Sequence, residues 1–291
     1  MLGSLHDADD ALQETLVRAW RSKDRFEGRG TFRSWLYMVA TNVCLSMATR
    51  CPVERNEGGV TRLSPLPDAL FEGLPSGEGD PAVRYDLHES VQLAFLAAIQ
   101  LLPPRQRAVL ILRDVLGSSA REVADLLETS VASVNSALQR AGATLERERR
   151  DGRLAIDLAV PLDAVAGRVL RRFLRAWEAV DIDGLVALLK EDAVLTMPPF
   201  PMRFVGAERI GEFLSRVPAG GALDQIRLVP TRANDQPAVA AYMLDPEEGV
   251  HRAYGIMVLT LDAERIAGII GFSDPPLFRA FGLPPQLEIG N

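Results

Sequence analysis

Apolar residues recur every three or four positions through most of the first 150 residues. This spacing predicts four amphipathic helices, over residues 7–20, 31–49, 85–102 and 105–116. Gly28 and Gly30 break the pattern between the first two helices, and Pro103 with Pro104 ends the third. The side of the first helix that is expected to be buried consists of Ala8, Leu12, Leu16, Ala19 and Trp20.

Two shorter helices are predicted over residues 119–140, joined by a polar turn. Ser119 and Glu122 form a capping box, and Ser130 is placed to cap the second helix. The free face of that second helix carries Ser133, Ser136, Gln139 and Arg140. Such a face suits the major groove, where Gln and Arg reach base edges. An ordinary helical hairpin with a solvated face has the same pattern, so both interpretations stay open at this point.

The pattern changes after residue 160. Residues 165–190 carry one or two amphipathic helices, and residues 207–214 carry another. Apolar runs predict strands of a curved antiparallel sheet over residues 194–197, 225–232, 238–244, 253–261 and 265–272. The predicted fold class is therefore multidomain: two all-α helical modules, the second with a helix-turn-helix, and a C-terminal α+β domain.

Composition separates the two helical modules. Residues 51–83 are rich in proline and glycine and carry an excess of acidic side chains, which is typical of a flexible linker. A coil of this length spans roughly 30 Å, about one turn of the DNA double helix. The predicted domains are residues 1–50, 84–150 and 160–280, with the flexible acidic linker over residues 51–83.

The distribution of charge and the number of cysteines limit the range of possible functions. The net charge is −7, and the excess of acidic residues lies in 51–80 and 151–291. The helical modules are close to neutral, so we expect weak DNA affinity unless a larger partner delivers them to DNA. Cys44, Cys51 and three dispersed histidines show no metal-ligand spacing, so we expect no metal, no other cofactor and a cytoplasmic location. Neither a signal peptide nor a membrane-spanning run is predicted.

The first module carries a specific set of motifs. Residues 10–15 read D-x-x-Q-E-T, residues 25–36 read R-F-x-G-x-x-x-F-R-x-W-L, and residues 40–42 read A-T-N. Together they resemble region 2 of the extracytoplasmic-function (group IV) sigma factors of bacterial RNA polymerase. Relatives generally begin with one further helix, and residues 1–10 resemble the sequence just after it. We therefore expect a weakly stable, shortened module or a start codon assigned too late.

The resemblance implies a role for named residues in this module. It places Asp10, Gln13 and Glu14 on the clamp helices of core RNA polymerase. It places the promoter −10 element against Phe26, Arg29, Thr31, Phe32, Arg33 and Trp35. Aromatic side chains stack on unpaired bases and arginines accompany the phosphate backbone, which fits that role. Burial in a helical core is the favoured alternative for Trp35 and Leu36.

The second module resembles sigma region 4 over residues 102–141. The resemblance implies that Ser133, Ser136, Gln139 and Arg140 face the −35 element and that the polymerase flap is a further contact. The sequence departs from relatives at Gly142, where arginine is common, and at Glu128, where the turn usually has a small residue. Without the first module, a helix-turn-helix response regulator would be the alternative.

The C-terminal domain resembles the SnoaL-like branch of the NTF2-like cone fold over residues 166–275. Cone folds enclose a pocket, and some relatives use a buried Asp as general base. Candidate pocket residues are Trp177, Asp192, Met197, Tyr242, His251, Met257 and Asp274. Core packing or a polar surface is the alternative for each of them.

The sequence therefore predicts an alternative sigma factor that is not an enzyme. It binds core RNA polymerase and directs recognition of −10 and −35 promoter elements, and the C-terminal domain modulates this activity in cis. The alternative is a SnoaL-like enzyme or ligand-sensing domain fused to a helix-turn-helix regulator. An anti-sigma factor and a small-molecule ligand are candidate partners besides promoter DNA.

Overall fold

The computed structural model describes residues 1–23, 31–50, 55–56, 59–60, 63–68, 99–150 and 162–288. They divide into a helical unit and a C-terminal unit. The C-terminal unit includes residues 65–68 and the short strands β1 (Arg55–Asn56) and β2 (Gly59–Val60). Most of the predicted helix over 85–102 and most of the predicted linker lie outside the described residues.

The helical unit begins with α1 (Leu5–Ser22) and α2 (Phe32–Arg50), which pack against each other. Each helix starts at a hydroxyl side chain that accepts a hydrogen bond from the first turn. Ser4 accepts from the Asp7 N–H at 3.3 Å, and Thr31 accepts from the Ser34 N–H at 3.1 Å.

The buried side of α1 differs from the predicted one. Ala19 is buried as predicted, together with Ala11 and Thr15. Ala8, Leu12, Leu16 and Trp20, which were predicted as buried, are exposed. Small side chains allow a neighbouring helix to approach closely, so α1 turns them toward α2. The three larger residues, spaced four apart, form an exposed apolar stripe on a different face.

The remainder of the helical unit contains the helix-turn-helix. Its elements are α3 (Pro104–Leu110), a π-helical turn (Ile111–Val115), α4 (Ala120–Leu126) and α5 (Val131–Arg150). The single helix predicted over 105–116 is therefore an α-helix that widens into a π turn. Both bonds of the predicted capping box are present, since the Glu122 N–H donates to Ser119 Oγ and the Ser119 N–H donates to the Glu122 carboxylate.

One buried arginine organises the entry to this motif. The Arg107 guanidinium donates to the backbone carbonyls of Ile99 (2.9 Å), Gln100 (2.8 Å) and Leu102 (3.1 Å). These carbonyls lie at the end of a helical segment, where the regular backbone hydrogen bonds stop, and the arginine supplies donors to them. Burial lowers the pKa of Arg107 to about 10, which still leaves the guanidinium charged at neutral pH.

The C-terminal unit starts with two helices and continues into a sheet. Its helices are α6 (Leu162–Glu178), α7 (Ile182–Leu188), α8 (Ala207–Arg216) and α9 (Leu277–Ala280). Its strands are β3 (Leu189–Thr196), β4 (Arg203–Val205), β5 (Ile226–Ala233), β6 (Gln236–Asp245), β7 (Val250–Asp262), β8 (Arg265–Phe272) and β9 (Gln286–Glu288). The sequence pattern did not predict β4, α9 or β9.

The seven strands lie in the order β4-β3-β8-β7-β6-β5, with β9 added to β7. The prediction of an antiparallel sheet is wrong at one position, because β3 and β8 run parallel, with Leu195 opposite Ile269. Residues 197–264 separate these two strands, which gives the chain room for the crossover that parallel pairing requires. The other pairs are antiparallel.

The core of the C-terminal unit lies between α6–α8 and one face of the sheet. Phe173, Trp177, Leu188, Leu195 and Ile210 are among its buried members. Trp177 is the largest of these side chains, and its indole N–H donates to the Ile226 carbonyl at 3.1 Å. A buried indole needs such an acceptor, so this bond fixes α6 against β5.

Residues 65–68, from the segment predicted as linker, pack against the turn between β5 and β6. Asn234 and Asp235 form this turn and both have positive φ, as a two-residue type I′ turn requires. The Leu66 N–H donates to Asn234 Oδ1 at 2.8 Å, and the Asn234 N–H donates to the Leu66 carbonyl at 2.8 Å. The Asp68 carboxylate accepts from Arg232 Nε and from the Asp235 N–H, each at 2.8 Å. We call this set of contacts the linker clamp.

Candidate functional site

The predicted −35 face lies along the exposed side of α5. Ser133, Ser136, Gln139 and Arg140 are all exposed. Val134, Ala137 and Ala141 on the opposite side are buried. Ser130 caps the helix by accepting a hydrogen bond from the Ser133 N–H at 3.1 Å. The structure therefore brings the four predicted residues to one accessible surface.

The helix-turn-helix departs from its relatives at two positions, Glu128 and Gly142. Glu128, in the turn between α4 and α5, has φ of 49°, a left-handed conformation in which a side chain is strained. This is the position where the sequence departs from the small residue of its relatives. Gly142 is exposed, and a Cβ built there would meet no atom within 4 Å. Arginine would therefore fit at this position.

The predicted −10 residues are only partly described. Phe26 and Arg29 lie outside the described residues, and Thr31 acts as the cap of α2. The rings of Phe32 and Trp35 are in contact, with centroids 5.4 Å apart. Phe32 is exposed, and Trp35 and Leu36 are half-buried.

Tyr37 belongs to the same surface and was missed by the sequence analysis. Arg33 donates to the Tyr37 hydroxyl at 3.2 Å, and its guanidinium lies 5.5 Å from the centre of the Tyr37 ring. This contact orients the arginine along the outside of α2. The four-residue spacing of an arginine and a tyrosine on a helix is the signal that could have identified the pair.

Asp10, Gln13 and Glu14 line one polar groove between α1 and α2. The groove is completed by Val17, Arg18, Val43, Ser46, Met47 and Arg50. Glu14 accepts a hydrogen bond from Arg18 at 2.6 Å, and both side chains are nearly half exposed. The three predicted polymerase-binding residues are thus close together and accessible, with arginines beside them.

The C-terminal unit encloses a cavity of about 380 Å³. Trp177, Met197 and Met257, all predicted as pocket residues, lie on its wall. The wall is otherwise apolar, and includes Phe173, Leu195, Met202, Phe213, Ile226, Ala241, Met243 and Ile269. Tyr254 and Ser273 are the polar side chains among the residues that line it.

The other four candidate pocket residues lie outside this wall. Tyr242 follows Ala241 on β6, so it points to the opposite face, where its hydroxyl donates to the Pro284 carbonyl at 3.0 Å. Burial raises the pKa of Tyr242. Asp192 is exposed on β3, beside Lys190. His251 pairs with Leu244 and Leu287 at the start of β7. Asp274 belongs to the turn after β8.

No carboxylate, imidazole or amine of the described residues lines the cavity. General acid–base chemistry most often uses such a group within hydrogen-bond reach of the substrate, and Tyr254 is the titratable side chain among the lining residues. Within the described part of the chain, no cluster of His, Cys, Asp and Glu has the geometry of a metal site. No helix of the described residues is long and apolar enough to cross a membrane.

Three family models match separate parts of the chain. Residues 1–50 match sigma-70 region 2, residues 92–145 match sigma-70 region 4, and residues 170–269 match a SnoaL-like domain. The ECF RNA polymerase sigma factor SigG of Mycobacterium tuberculosis (strain ATCC 25618 / H37Rv) is 40% identical over 306 residues, covering 99% of this chain and 80% of that protein. The chain belongs to the extracytoplasmic-function sigma factors.

A second member of the family shows the same architecture. The crystal structure of the extracytoplasmic-function sigma factor SigJ of Mycobacterium tuberculosis superimposes with a TM-score of 0.61, at 22% identity, covering 97% of this chain and 93% of that one. The resemblances to sigma regions 2 and 4 and to a SnoaL-like domain are confirmed. This sigma factor is an alternative sigma factor, and core RNA polymerase and promoter DNA are the partners that its family implies.

Proposed function

We propose that the C-terminal domain of this sigma factor does not catalyse a reaction and instead modulates promoter-directed transcription in cis. The linker clamp is the observation that carries this proposal, because it bonds residues 65–68 to a domain outside both sigma regions. The residues that join region 2 to region 4 determine how far apart the two regions can act. A domain that holds this connection therefore acts on the sigma regions without contacting DNA.

The finer roles of the sigma surfaces belong to the same proposal. The groove with Asp10, Gln13 and Glu14 binds the polymerase clamp helices. The aromatic and arginine side chains at the start of α2 bind the −10 element, and the exposed face of α5 recognises the −35 element. Their exposure and clustering support these roles. The polymerase flap and an anti-sigma factor stay predictions.

The chemistry of the clamp favours a releasable contact. Asn234 is fully buried and Pro67 is buried, so the contact excludes water on one side. The Arg232–Asp68 pair is partly exposed and salt-sensitive, and such pairs contribute little. A few hydrogen bonds of about 1 kcal/mol each hold the segment, so polymerase binding can compete with them. We expect the clamped state to be the less active one.

The variant Asn234→Gly tests this proposal in the full-length chain. Glycine accepts the left-handed φ of 56° at this position, so the turn is kept while the acceptor for the Leu66 N–H is lost. Losing one bond of about 1 kcal/mol shifts the clamped equilibrium about 5-fold. We expect multiple-round transcription by the reconstituted holoenzyme to rise by up to that factor, on a promoter selected in vitro with the wild-type protein.

Glu247→Gly, in the exposed turn between β6 and β7, is the matched control. It loosens a turn of the same domain without touching the clamp, and we expect unchanged output. Asp68→Ala should reproduce the effect of Asn234→Gly from the linker side. Unchanged transcription in both clamp variants, at polymerase concentrations below and above saturation, contradicts the proposal.

A further inference from the structure

The cavity of the C-terminal domain has the size and shape of a binding site. Its volume of about 380 Å³ lies in the range of small-molecule pockets, which begins near 300 Å³. Trp177 and Phe173 are almost fully buried and close its deep end. A protein core is normally packed without voids larger than a water molecule, so a space of this size needs an explanation.

The residues that line the cavity determine what kind of molecule can occupy it. Charged side chains are absent from the residues that line it, and the Trp177 indole N–H is already bonded to the Ile226 carbonyl. An ion would be stripped of water there without a counter-charge. A buried water needs two to four polar partners, which this wall does not supply along its length. The wall is therefore complementary to an uncharged, apolar molecule.

Four methionines give that wall an adaptable surface. Met197, Met202, Met243 and Met257 line the cavity and are only half-buried. Unbranched thioether side chains change rotamer easily and follow the shape of an apolar ligand. Gly271 on β8 lies between two of them, since a Cβ built there would meet Met197 Cγ at 3.4 Å. A side chain at this position would occupy part of the cavity.

The cavity opens at an apolar rim. Val217 and Tyr254 line it and are 55% and 40% exposed. Between α8 and β5 the rim continues through residues 218–220, where Ala219 adopts a left-handed φ of 48°. Exposed apolar side chains around an apolar cavity give a hydrophobic molecule a continuous path from solvent.

We infer that the C-terminal cavity of this sigma factor is a binding site for a small, uncharged, hydrophobic molecule. Trp177 and Phe173 form its floor, and the four methionines form its adjustable wall. The inference goes beyond modulation in cis and does not depend on the linker clamp. Because no carboxylate, imidazole or amine lines the cavity, we expect the domain to hold its ligand unchanged.

Two fluorescent probes that differ by one sulfonate test the inference on the full-length protein. N-phenyl-1-naphthylamine is uncharged, and 8-anilino-1-naphthalenesulfonate is its anionic counterpart. We expect saturable binding of the uncharged probe with at least about 10-fold preference over the anionic one, because the wall offers no counter-charge. Equal binding of the two probes, or no binding of the uncharged one, overturns the inference.

A pair of strand variants locates the bound probe. Gly271→Val places methyl groups into the cavity, and we expect the affinity for the uncharged probe to fall about 10-fold or more. Gly268→Val is the matched control, because its Cβ would point toward Thr260 and the Val194 carbonyl instead. Thermal unfolding of both variants reports whether they are folded. Undiminished binding by a folded Gly271→Val protein overturns the inference.

Energy transfer decides the case where Gly271→Val does not fold. The chain has three tryptophans, and replacing Trp20 and Trp35 by phenylalanine leaves Trp177 as the only donor. We expect emission from Trp177 to be transferred to the bound uncharged probe, since the indole lies on the cavity wall. Probe binding without quenching of Trp177 places the probe elsewhere and overturns the inference.

Discussion

Trp20 and Trp177 show how differently the two units of this sigma factor use large apolar side chains. Trp20 on α1 is 71% exposed, whereas Trp177 on α6 is 2% exposed and bonded to the backbone of β5. In the helical unit, α1 buries small residues and leaves Leu12, Leu16 and Trp20 exposed, and the polar groove and the α5 face are also accessible. The C-terminal unit turns its large residues inward around a cavity. The helical unit is thus built for partners, and the C-terminal unit for an internal ligand.

Replacing each tryptophan by alanine tests this contrast most strongly. We expect Trp177→Ala to lower the free energy of unfolding of the C-terminal unit by about 3–5 kcal/mol, because it leaves a cavity and an unpaired Ile226 carbonyl. Trp20→Ala should change stability by less than about 0.5 kcal/mol, since its side chain is exposed. Denaturant unfolding followed by circular dichroism measures both. Similar losses in the two variants would remove the distinction between the units.

Substitutions in the polar groove between α1 and α2 should give the next largest effect, on the affinity for core polymerase. We expect the triple variant Asp10→Ala, Gln13→Ala, Glu14→Ala to weaken binding to core polymerase by about 2–5 kcal/mol, because it removes an accessible cluster of charges and hydrogen-bonding groups. Asp9→Ala is the control, since Asp9 is exposed on α1 and does not line the groove. Fluorescence anisotropy with purified core polymerase measures the affinity. A loss caused equally by Asp9→Ala would argue for general electrostatic attraction.

The exposed face of α5 should give a smaller effect that depends on DNA sequence. We expect Arg140→Ala to weaken binding of the holoenzyme to its promoter by about 1–3 kcal/mol, and to leave scrambled −35 DNA almost unaffected. Filter binding at one fixed salt concentration compares the two DNAs. An equal loss on both would mean that Arg140 contacts phosphate and does not read bases.

A substitution in the turn of the helix-turn-helix should give the smallest effect, and it should raise stability where the preceding substitutions lower stability or affinity. Glu128→Gly should stabilise the helical unit by about 1 kcal/mol, because glycine adopts the left-handed conformation without strain. Gly117→Ala provides the converse comparison. A Cβ at Gly117 meets no atom within 4 Å, so any loss there comes from its φ of 67° alone. Thermal unfolding of both proteins checks the two signs, and destabilisation by Glu128→Gly would show that the glutamate stabilises the turn.

Local signals in the sequence predicted most of the elements. The capping residues Ser119 and Ser130 and the apolar run that predicts β6 depend on neighbours a few positions apart, and the structure confirms them. Most of the buried side of α1 was not predicted, because Ala11 and Thr15 compete with Leu12 and Leu16 for the interior. Only the partner helix decides that competition, through how closely it approaches.

In the C-terminal unit, the long-range pairing of strands limited how much of the fold could be predicted from the sequence. The parallel pairing of β3 with β8 joins strands that local patterns cannot relate to each other. The same holds for the cavity wall: Trp177, Met197 and Met257 were predicted on it, but the face of Tyr242 depends on the register of β6. The linker clamp was missed because proline and acidic residues are also typical of free linkers. Its signal, an Asn-Asp turn 168 residues away, has meaning only in the folded chain.

Because 168 residues separate Leu66 from Asn234, the linker clamp can form only late in the synthesis of the chain. The ribosome adds about 5–20 residues per second, so roughly 10–30 s pass between the synthesis of Leu66 and that of Asn234. Both sigma regions are complete for about the second half of that interval, while the clamp cannot yet form. Each newly made molecule therefore passes through a period in which its linker is unrestrained, before the finished C-terminal domain takes hold of it.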